Sequence, residues 1–384
     1  MDKQRPKIVR VVTASYVVPW HLHNTLRRMT ADFDVTVVGQ DVSANRDAYP
    51  GVQWVDINLN RKLSWFADLA SLWALYRFLL RQKPDIVHSI MPKAGLLAAM
   101  ASFAARVPVR MHTFTGQIWV KRHPASRFLL YWLDRLINAL NTVCLTDSRS
   151  QSAFLFQQGF AHDGKPLPVL GDGSLSGVEL ARFACPRDQV AAEKLRRQLG
   201  LAVDHFVFAF IARKSRDKGA LDMVRAFASL ASSYPQARLL FIGPDESDGE
   251  LRALKSTSPE LFIHTIDIDR VADHETYLSV TDVLCLPSYR EGFGTIVIDA
   301  AAAAVPAIGS RIVGLVDSID DGKTGVLFNA GAANELVQAM QSMLDNPQRT
   351  REMGLAARHR IEALFSADRL YGLLRDFYHR QLRR

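Results

Sequence analysis

Cysteine is scarce in this sequence. The three that occur, Cys144, Cys185 and Cys285, are far apart and odd in number. They offer no metal-binding spacing and no disulfide framework, and such usage suits a reducing, cytoplasmic setting. No run of about 18 uninterrupted apolar residues occurs, so no transmembrane helix is expected. Residues 1–7 are charged, and the apolar run after them reads as a short strand, not a signal-peptide core. Any membrane contact would then be peripheral, on the inner face of the cytoplasmic membrane. Long polar, Pro-rich or Ser-rich tracts are missing, which excludes extended disorder. Missing too is the G-x-G-x-x-G that an NAD-dependent oxidoreductase would carry after its first strand, where Val12-Thr13-Ala14-Ser15 stands instead.

What is present is ordinary globular composition, 48% hydrophobic and 22% charged, over 384 residues, a length that suits two domains. The net charge is +8, with basic clusters at Arg61-Lys62, from Arg77 to Lys83, and at Lys121-Arg122-His123. That balance suits anionic partners such as nucleotides or lipid phosphates, or a solvated basic surface. Nucleic acid would rest on the net charge alone, with no supporting motif, and is not expected.

Short β-rich runs alternate with helical patterns. Strands are expected at 7–13, 34–39, 85–89, 109–113 and 142–146, with helices at 65–81 and 96–105 between them. The second half repeats the pattern with strands at 206–211, 237–242, 261–266, 283–286 and 307–309. Its helices are expected at 220–232, 275–280, 296–304 and 333–345. This is the rhythm of parallel βαβ units, and each half has the size of one doubly wound domain. The expected division is a first domain at 1–183, a second at 184–365, and a C-terminal helix at 366–384 with Leu370, Leu373, Leu374 and Phe377 as its apolar stripe. Near the boundary, Pro186 separates a Gly-rich loop (171–177) from an amphipathic helix at 189–199.

Open α/β sheets bind ligands at the carboxyl ends of their strands, so the chemistry is expected in the loops that follow strands. After the strand at 283–286 comes Pro287-Ser288-Tyr289-Arg290-Glu291-Gly292-Phe293-Gly294-Thr295, which opens a helix reaching Asp299-Ala300. Its glycines let a ligand approach the backbone, and the free N–H groups of the helix start favour a phosphate. Glu291 on the loop and Asp299 about one turn into the helix could hold two parts of one ligand, although either alone would read as a solvated acid. After the strand at 206–211 comes Arg213-Lys214-Ser215-Arg216-Asp217-Lys218-Gly219. Taken alone, these residues read as a basic, solvated loop.

Ser-Tyr-Arg-Glu-Gly-Phe-Gly with a second acid eight residues after the Glu, and Arg, four spacers, then Lys-Gly, resemble the signature of glycosyltransferase family 4. Segments of the first half agree, so the resemblance spans nearly the whole chain. It implies the α/β GT-B fold, two Rossmann-like domains facing across a cleft, with the C-terminal helix crossing back to the first domain. It implies a retaining, metal-independent glycosyltransferase. Arg213 and Lys218 would grip the donor diphosphate, and Glu291 would contact the transferred sugar. Amides around Gly292, Phe293, Gly294 and Thr295 would meet the phosphates. Asp299 stands where the family usually has Glu to bind the ribose; one methylene shorter, its contact would be looser or water-bridged. The region around Ile263 and His264 would hold the base.

In the first domain, Pro92-Lys93-Ala94-Gly95 and Gly171-Asp172-Gly173-Ser174 resemble segments of bacterial polysaccharide members. The family's His in the loop after the strand at 109–113 has no clear counterpart. Thr115 aligns with it and His112 lies three residues earlier, where it also reads as a core histidine within the strand. Lys93, His112 and Thr115 are therefore the candidates on the acceptor side. The pair Asp267 and Asp269 is taken as a loop pair, and neither metal nor cofactor is expected. The expected donor is a nucleotide-sugar, a UDP-sugar ahead of GDP-mannose, carrying a hexose or N-acetylhexosamine. The acceptor would be a sugar on a lipid diphosphate, met by Trp65, Trp73, Lys121, Arg122 and Trp132, in O-antigen, lipopolysaccharide, capsule or glycan assembly. The alternative is a nucleotide-sugar-binding protein without transferase activity.

Overall fold

The computed structural model describes residues 5–59, 64–120, 123–185 and 188–383. Arg61-Lys62, Lys121-Arg122, Pro186 and Arg187 lie outside the described residues. The chain forms two compact units, residues 1–177 with 367–384, and residues 178–366.

The first unit is built on six parallel strands: β1 (Lys7–Ala14), β2 (Asp34–Gln40), β3 (Gln53–Asp56), β4 (Ile86–Ile90), β5 (Val109–Phe114) and β6 (Val143–Thr146). Their order is β3-β2-β1-β4-β5-β6, with Ile8 paired to Val35 on one side and Ile86 on the other. Helices α1 (His23–Met29), α2 (Trp65–Gln82), α3 (Pro92–Ala104), α4 (Pro124–Leu140) and α5 (Arg149–Gln157) complete the βα alternation. The central strands are buried on both faces, as in a parallel sheet covered on both sides, with Arg10, His88 and Ser89 as polar members of an otherwise largely apolar set. One face packs on α2 and α3 through Val9, Val11, Leu75, Leu79, Leu97 and Ala98. The other packs on α1 and on the C-terminal helix, where Tyr371, Leu374, Phe377 and Tyr378 join Ile8, Val12, Leu22 and Leu26.

The second unit repeats this order. Strands β7 (Phe206–Ile211), β8 (Ala237–Ile242), β9 (Thr265–Ile268), β10 (Val283–Leu286), β11 (Ala307–Ser310) and β12 (Gly325–Phe328) are arranged β12-β11-β10-β7-β8-β9. Its helices are α6 (Gln189–Gln198), α7 (Ala220–Ala231), α8 (Glu250–Thr257), α9 (His274–Leu278), α10 (Thr295–Ala302), α11 (Leu315–Ser318), α12 (Ala333–Asp345) and α13 (Pro347–Leu364). The C-terminal helix is α14 (Ala367–Leu382). In both sheets the order reverses direction beside the first strand, at β1/β4 and at β7/β10, which is the switch point where doubly wound sheets bind ligands.

The unit boundary falls six residues earlier than the sequence pattern implied. Val178 pairs with Ser366 and donates its amide to Phe365 O at 2.9 Å, so the chain enters and leaves the second unit side by side. Phe183 is buried in the second unit's core with Phe293 and Phe365. Just before the boundary, Asn24 Nδ2 donates to Gly177 O at 2.8 Å within the first unit. The proline at 186 suggested a break, but core membership of Val178 and Phe183 decides it.

Candidate active site

The loops after β7 and β10 flank the switch point of the second sheet, and backbone geometry presses them together. Gly219 has φ +70°, and a Cβ there would lie 2.1 Å from Pro287 O. Only glycine allows that approach. The Tyr289 amide donates to Asp217 O at 2.8 Å across the same junction. Tyr289 Oη in turn donates to Asp222 Oδ2 on α7 at 2.8 Å, tying the β10 loop to the helix behind it.

Four of the residues singled out by sequence meet here. Lys218 Nζ donates to Glu291 Oε1 at 2.6 Å, and Ser288 Oγ donates to the same oxygen at 2.8 Å. Arg213 Nη1 donates to Glu246 at 2.6 Å and Nη2 to Asp217 at 3.3 Å, while Arg290 reaches Asp217 at 3.1 Å. Asp217 thus lies among three cations. Burial opposes its charge, but Ser215, Arg213, Lys218 and Arg290 together hold its carboxyl below the usual range. Burial likewise opposes the Arg213 charge, and Glu246, Asp217 and Glu291 more than compensate, so its pKa is raised. The fourth residue, Gly294, has φ +78° and caps the N-terminus of α10. The first-turn amides of α10, including Thr295, are those a helix leaves without intrahelical partners. Phe293 turns its ring into the core against Phe365, so only its backbone faces the loop, next to Gly292.

Asp299, one turn into α10, lies 3.0 Å from His274 Nε2. Sequence reasoning missed His274, because nothing local marks it; it becomes visible only when the start of α9 is brought beside α10. Burial lowers the His274 pKa, but the hydrogen bond and charge of Asp299 and the charge of Glu275 outweigh that and raise it. Glu275 is itself paired to Arg182 at 2.7 Å. Asp217, Arg290 and Ser288 were also missed as site residues, although all three lie inside the quoted motifs.

His264 does not join the site. The strand expected at 261–266 is β9, Thr265–Ile268, preceded by a 3-10 turn at Pro259–Phe262. Leu261 and Phe262 are apolar because they pack against the second unit's core, not because they extend a strand. His264 therefore stands at the amino end of β9, where its carbonyl accepts from Leu239 N at 3.0 Å. The chemistry lies at the opposite end, about 13 Å away along a four-residue strand. Asp267 lies within β9 rather than in a loop, and its carboxylate takes Lys214 Nζ at 2.5 Å and Lys255 Nζ at 3.5 Å. Lys214 is buried by that bond and by the Phe241 ring, which separates its role from those of Arg213 and Lys218.

In the first unit, His112 is a core residue. It is buried in β5, its Nδ1 lies 2.9 Å from Ser89 Oγ, and burial pulls its pKa down to about 3, so the ring is neutral. Its imidazole occupies the space where a Cβ on Gly95 would stand, which explains the glycine in Pro92-Lys93-Ala94-Gly95. Lys93, in the first turn of α3, pairs with Asp68 at 2.6 Å. Thr115 is half-buried just past the carboxyl end of β5. A second buried histidine, His88 on β4, joins Tyr378 Oη at 2.7 Å and Thr113 Oγ1 at 2.8 Å, and Arg10 donates to the same tyrosine at 3.0 Å. That network fastens α14 to the sheet.

Two six-stranded doubly wound sheets with a cation–carboxylate cluster at one switch point define a nucleotide-type α/β enzyme architecture. Residues 191–360 match the model of the glycosyl transferases group 1, and residues 17–166 match the glycosyl transferase 4-like domain. The chain belongs to this glycosyltransferase family and has its GT-B fold. It is 26% identical over 376 residues to the capsular polysaccharide biosynthesis glycosyltransferase CapM of Staphylococcus aureus, covering 97% of this chain and 96% of that one. It is 25% identical over 291 residues to the UDP-Gal:alpha-D-GlcNAc-diphosphoundecaprenol alpha-1,3-galactosyltransferase of Escherichia coli, covering 75% and 73%. Among solved structures, Anabaena HepE in complex with UDP-glucose superimposes with a TM-score of 0.80 at 18% identity, covering 97% and 98%. Both family matches agree on a glycosyltransferase.

Proposed function

We propose that this glycosyltransferase moves a hexose or N-acetylhexosamine, with retention of configuration, from a UDP-sugar to a sugar carried on a lipid diphosphate. The observation that supports this best is the meeting of Arg213, Lys218 and Glu291 at the second unit's switch point, beside the N-terminus of α10. Arg213 and Lys218 bind the donor diphosphate together with the amides at Gly294 and Thr295, and Asp299 holds the ribose. Glu291 orients the transferred sugar and, through Lys218, the position of the cation. The bond from the anomeric carbon to the diphosphate oxygen breaks, and the acceptor oxygen bonds to that carbon on the same face. The acceptor proton passes to the departing phosphate oxygen. The two cations and the helix N-terminus stabilise the leaving charge, a task that needs no bound metal in this reading. Lys93 and Thr115 are the acceptor-side residues of the first unit.

The choice of UDP is supported by HepE, which has this fold and is seen with UDP-glucose, and by the UDP-Gal-using Escherichia coli relative. That relative acts on GlcNAc-diphosphoundecaprenol, and CapM serves capsular polysaccharide biosynthesis, which supports a lipid-borne acceptor in surface polysaccharide assembly.

The test is nucleotide release from a panel of UDP- and GDP-sugars, with membrane lipid extract as acceptor, for wild type beside Glu291→Ala and Lys218→Ala. UDP release by wild type, lost in both variants, is expected. Release of GDP only would move the donor to GDP-mannose, and tight donor binding without turnover would favour a nucleotide-sugar-binding protein.

A further inference from the structure

The loops after β7 and β10 carry Arg213, Lys214, Arg216, Lys218 and Arg290, and the partners of these cations separate their roles. Lys214 is buried, bonded to Asp267 and to Ile268 O at 2.8 Å, with the Phe241 ring against it. Arg216 is largely exposed and is held by Glu250 on α8. Lys218 is paired with Glu291. Arg213 and Arg290 differ from all of these, because they converge on one atom. Arg213 Nη2 lies 3.3 Å from Asp217 Oδ2, and Arg290 Nη2 lies 3.1 Å from the same oxygen.

Asp217 is fixed independently of the two arginines. Its Oδ1 accepts from Ser215 Oγ, and its carbonyl accepts from the Tyr289 amide at 2.8 Å. It sits inside the 3-10 turn Arg216–Lys218 that leads from β7 into α7. The carboxylate therefore sets where the guanidinium groups go, not the reverse. Two like charges so close repel one another, and a shared carboxylate between them offsets that repulsion. The side chains of Arg213, Asp217 and Arg290 are 23%, 32% and 31% exposed, so the trio is open to a ligand where Lys214, at 6%, is not. Among the described residues Arg290 bonds through Nη2 only, which leaves most of its N–H donors for a ligand. A planar guanidinium matches phosphate oxygens with two parallel hydrogen bonds, a geometry an ammonium lacks.

We propose that Arg290 is a further phosphate-binding residue of the donor site, acting beside Arg213, and that Asp217 is the positioning residue that holds both guanidinium groups in place. The ligand class is a nucleoside diphosphate, whose two phosphate groups offer oxygens to both arginines. Asp217 touches no ligand itself, and its charge opposes an anion. Its benefit is preorganisation, since two mobile arginines need not be gathered when the diphosphate arrives. The inference rests on the reading of this cluster as the donor site, and its test separates a failure of that reading from a failure of the two roles assigned here.

The test is titration calorimetry of the full chain, beside thermal melts. The probe is UDP or GDP, whichever wild type binds, compared with its monophosphate. Arg290→Met is expected to weaken diphosphate binding by about tenfold, the scale of a lost charge-assisted hydrogen bond, and to narrow the preference over the monophosphate by a similar factor. Arg290→Lys should recover part of the loss. Asp217→Asn tests the positioning role by its sign. Deleting a carboxylate beside an anion site would, by charge alone, strengthen diphosphate binding. Positioning predicts the opposite, a weakening of about tenfold that shrinks in the Arg290→Met background because the two residues act together. Should Asp217→Asn not fold, Asp217→Glu, with its charge one methylene further out, is expected to weaken the diphosphate at an unchanged melting temperature. Arg290→Met binding the diphosphate as wild type does, or Asp217→Asn binding it as tightly or more tightly, would overturn the proposal and leave the donor site standing. So would equal losses for diphosphate and monophosphate with a lowered melting temperature, which would make the trio a brace between the loops. Wild type binding neither UDP nor GDP would overturn the donor-site reading and this proposal with it.

Discussion

Lys218 Nζ and Glu291 Oε1 lie 2.6 Å apart, each at the tip of a loop leaving one of the two strands that flank the second unit's switch point. Ser288 shares the carboxylate oxygen, and Gly219 next to Lys218 lets the two loops touch. One ion pair thus couples the residue assigned to the diphosphate with the residue assigned to the sugar.

Removing either partner should therefore affect stability and turnover differently. Lys218→Met leaves a largely buried carboxylate with Ser288 as its remaining hydrogen-bond partner, and buried charge that loses its ion pair is destabilising. Pairing it with Glu291→Gln should restore most of the melting temperature. Turnover should stay low in the double variant, by about 10²–10³-fold, because the cation opposing the leaving charge is gone. Recovery of turnover together with stability would make the pair a structural bridge only.

Asp134 should make the first unit less stable as pH rises. Burial raises its carboxyl from the ordinary 3.8 to about 6, against the lowering hydrogen bonds of Trp119 and Gln117. The native state then holds a proton that the unfolded chain has lost, so stability falls as pH climbs from the ordinary value through about 6. Asp134→Asn keeps an acceptor for Trp119 and removes the charge. It should gain about 2–3 kcal/mol near neutral pH and lose that slope, as read by denaturant melts across pH.

The parts of this molecule that were legible in sequence are those set by local pattern. Central strands such as β7, β8 and β10 are continuous apolar runs, and α12 has a strong helical period, so their bounds were close to those found. The edge strands β3 and β12 were missed; β3, Gln53-Trp54-Val55-Asp56, is polar at both ends and nowhere fully buried, so it lacks the apolar run that marks the others. The cluster of Arg213, Lys218 and Glu291 was legible because strand-end loops of parallel sheets converge by topology. His274 was not, since its partner Asp299 is twenty-five residues away and no local pattern links the two. His264 was misplaced by one error of strand register, which carried it from one end of the sheet to the other.

The His274–Asp299 pair should weaken at high pH. Its raised imidazole pKa means the charged pair is fully present below about 6.5, the unfolded value, and is lost as pH rises through the folded one. Asp299, Glu275 and Arg182 are the charged groups that set it. Melting temperature and UDP affinity should both decline across that upper range, by about 1 kcal/mol as for a partly exposed ion pair. His274→Gln should lower UDP affinity at low pH and flatten the profile. An unchanged profile would remove Asp299 from the ribose role that depends on this pairing.

Gly219 offers the sharpest contrast between backbone strain and close approach. Gly249 has a similar conformation, φ +87°, but a Cβ there would meet nothing within 4 Å. Gly249→Ala should cost only the left-handed conformation, about 1–2 kcal/mol. Gly219→Ala adds a Cβ 2.1 Å from Pro287 O, so the β7 and β10 loops must part. It should cost more than Gly249→Ala, and unlike it should lower donor affinity, because Lys218 would move away from Glu291. Equal melting temperatures and equal UDP affinities for the two variants would show that the loops can separate without consequence, and the loop contact would then have no part in holding the donor.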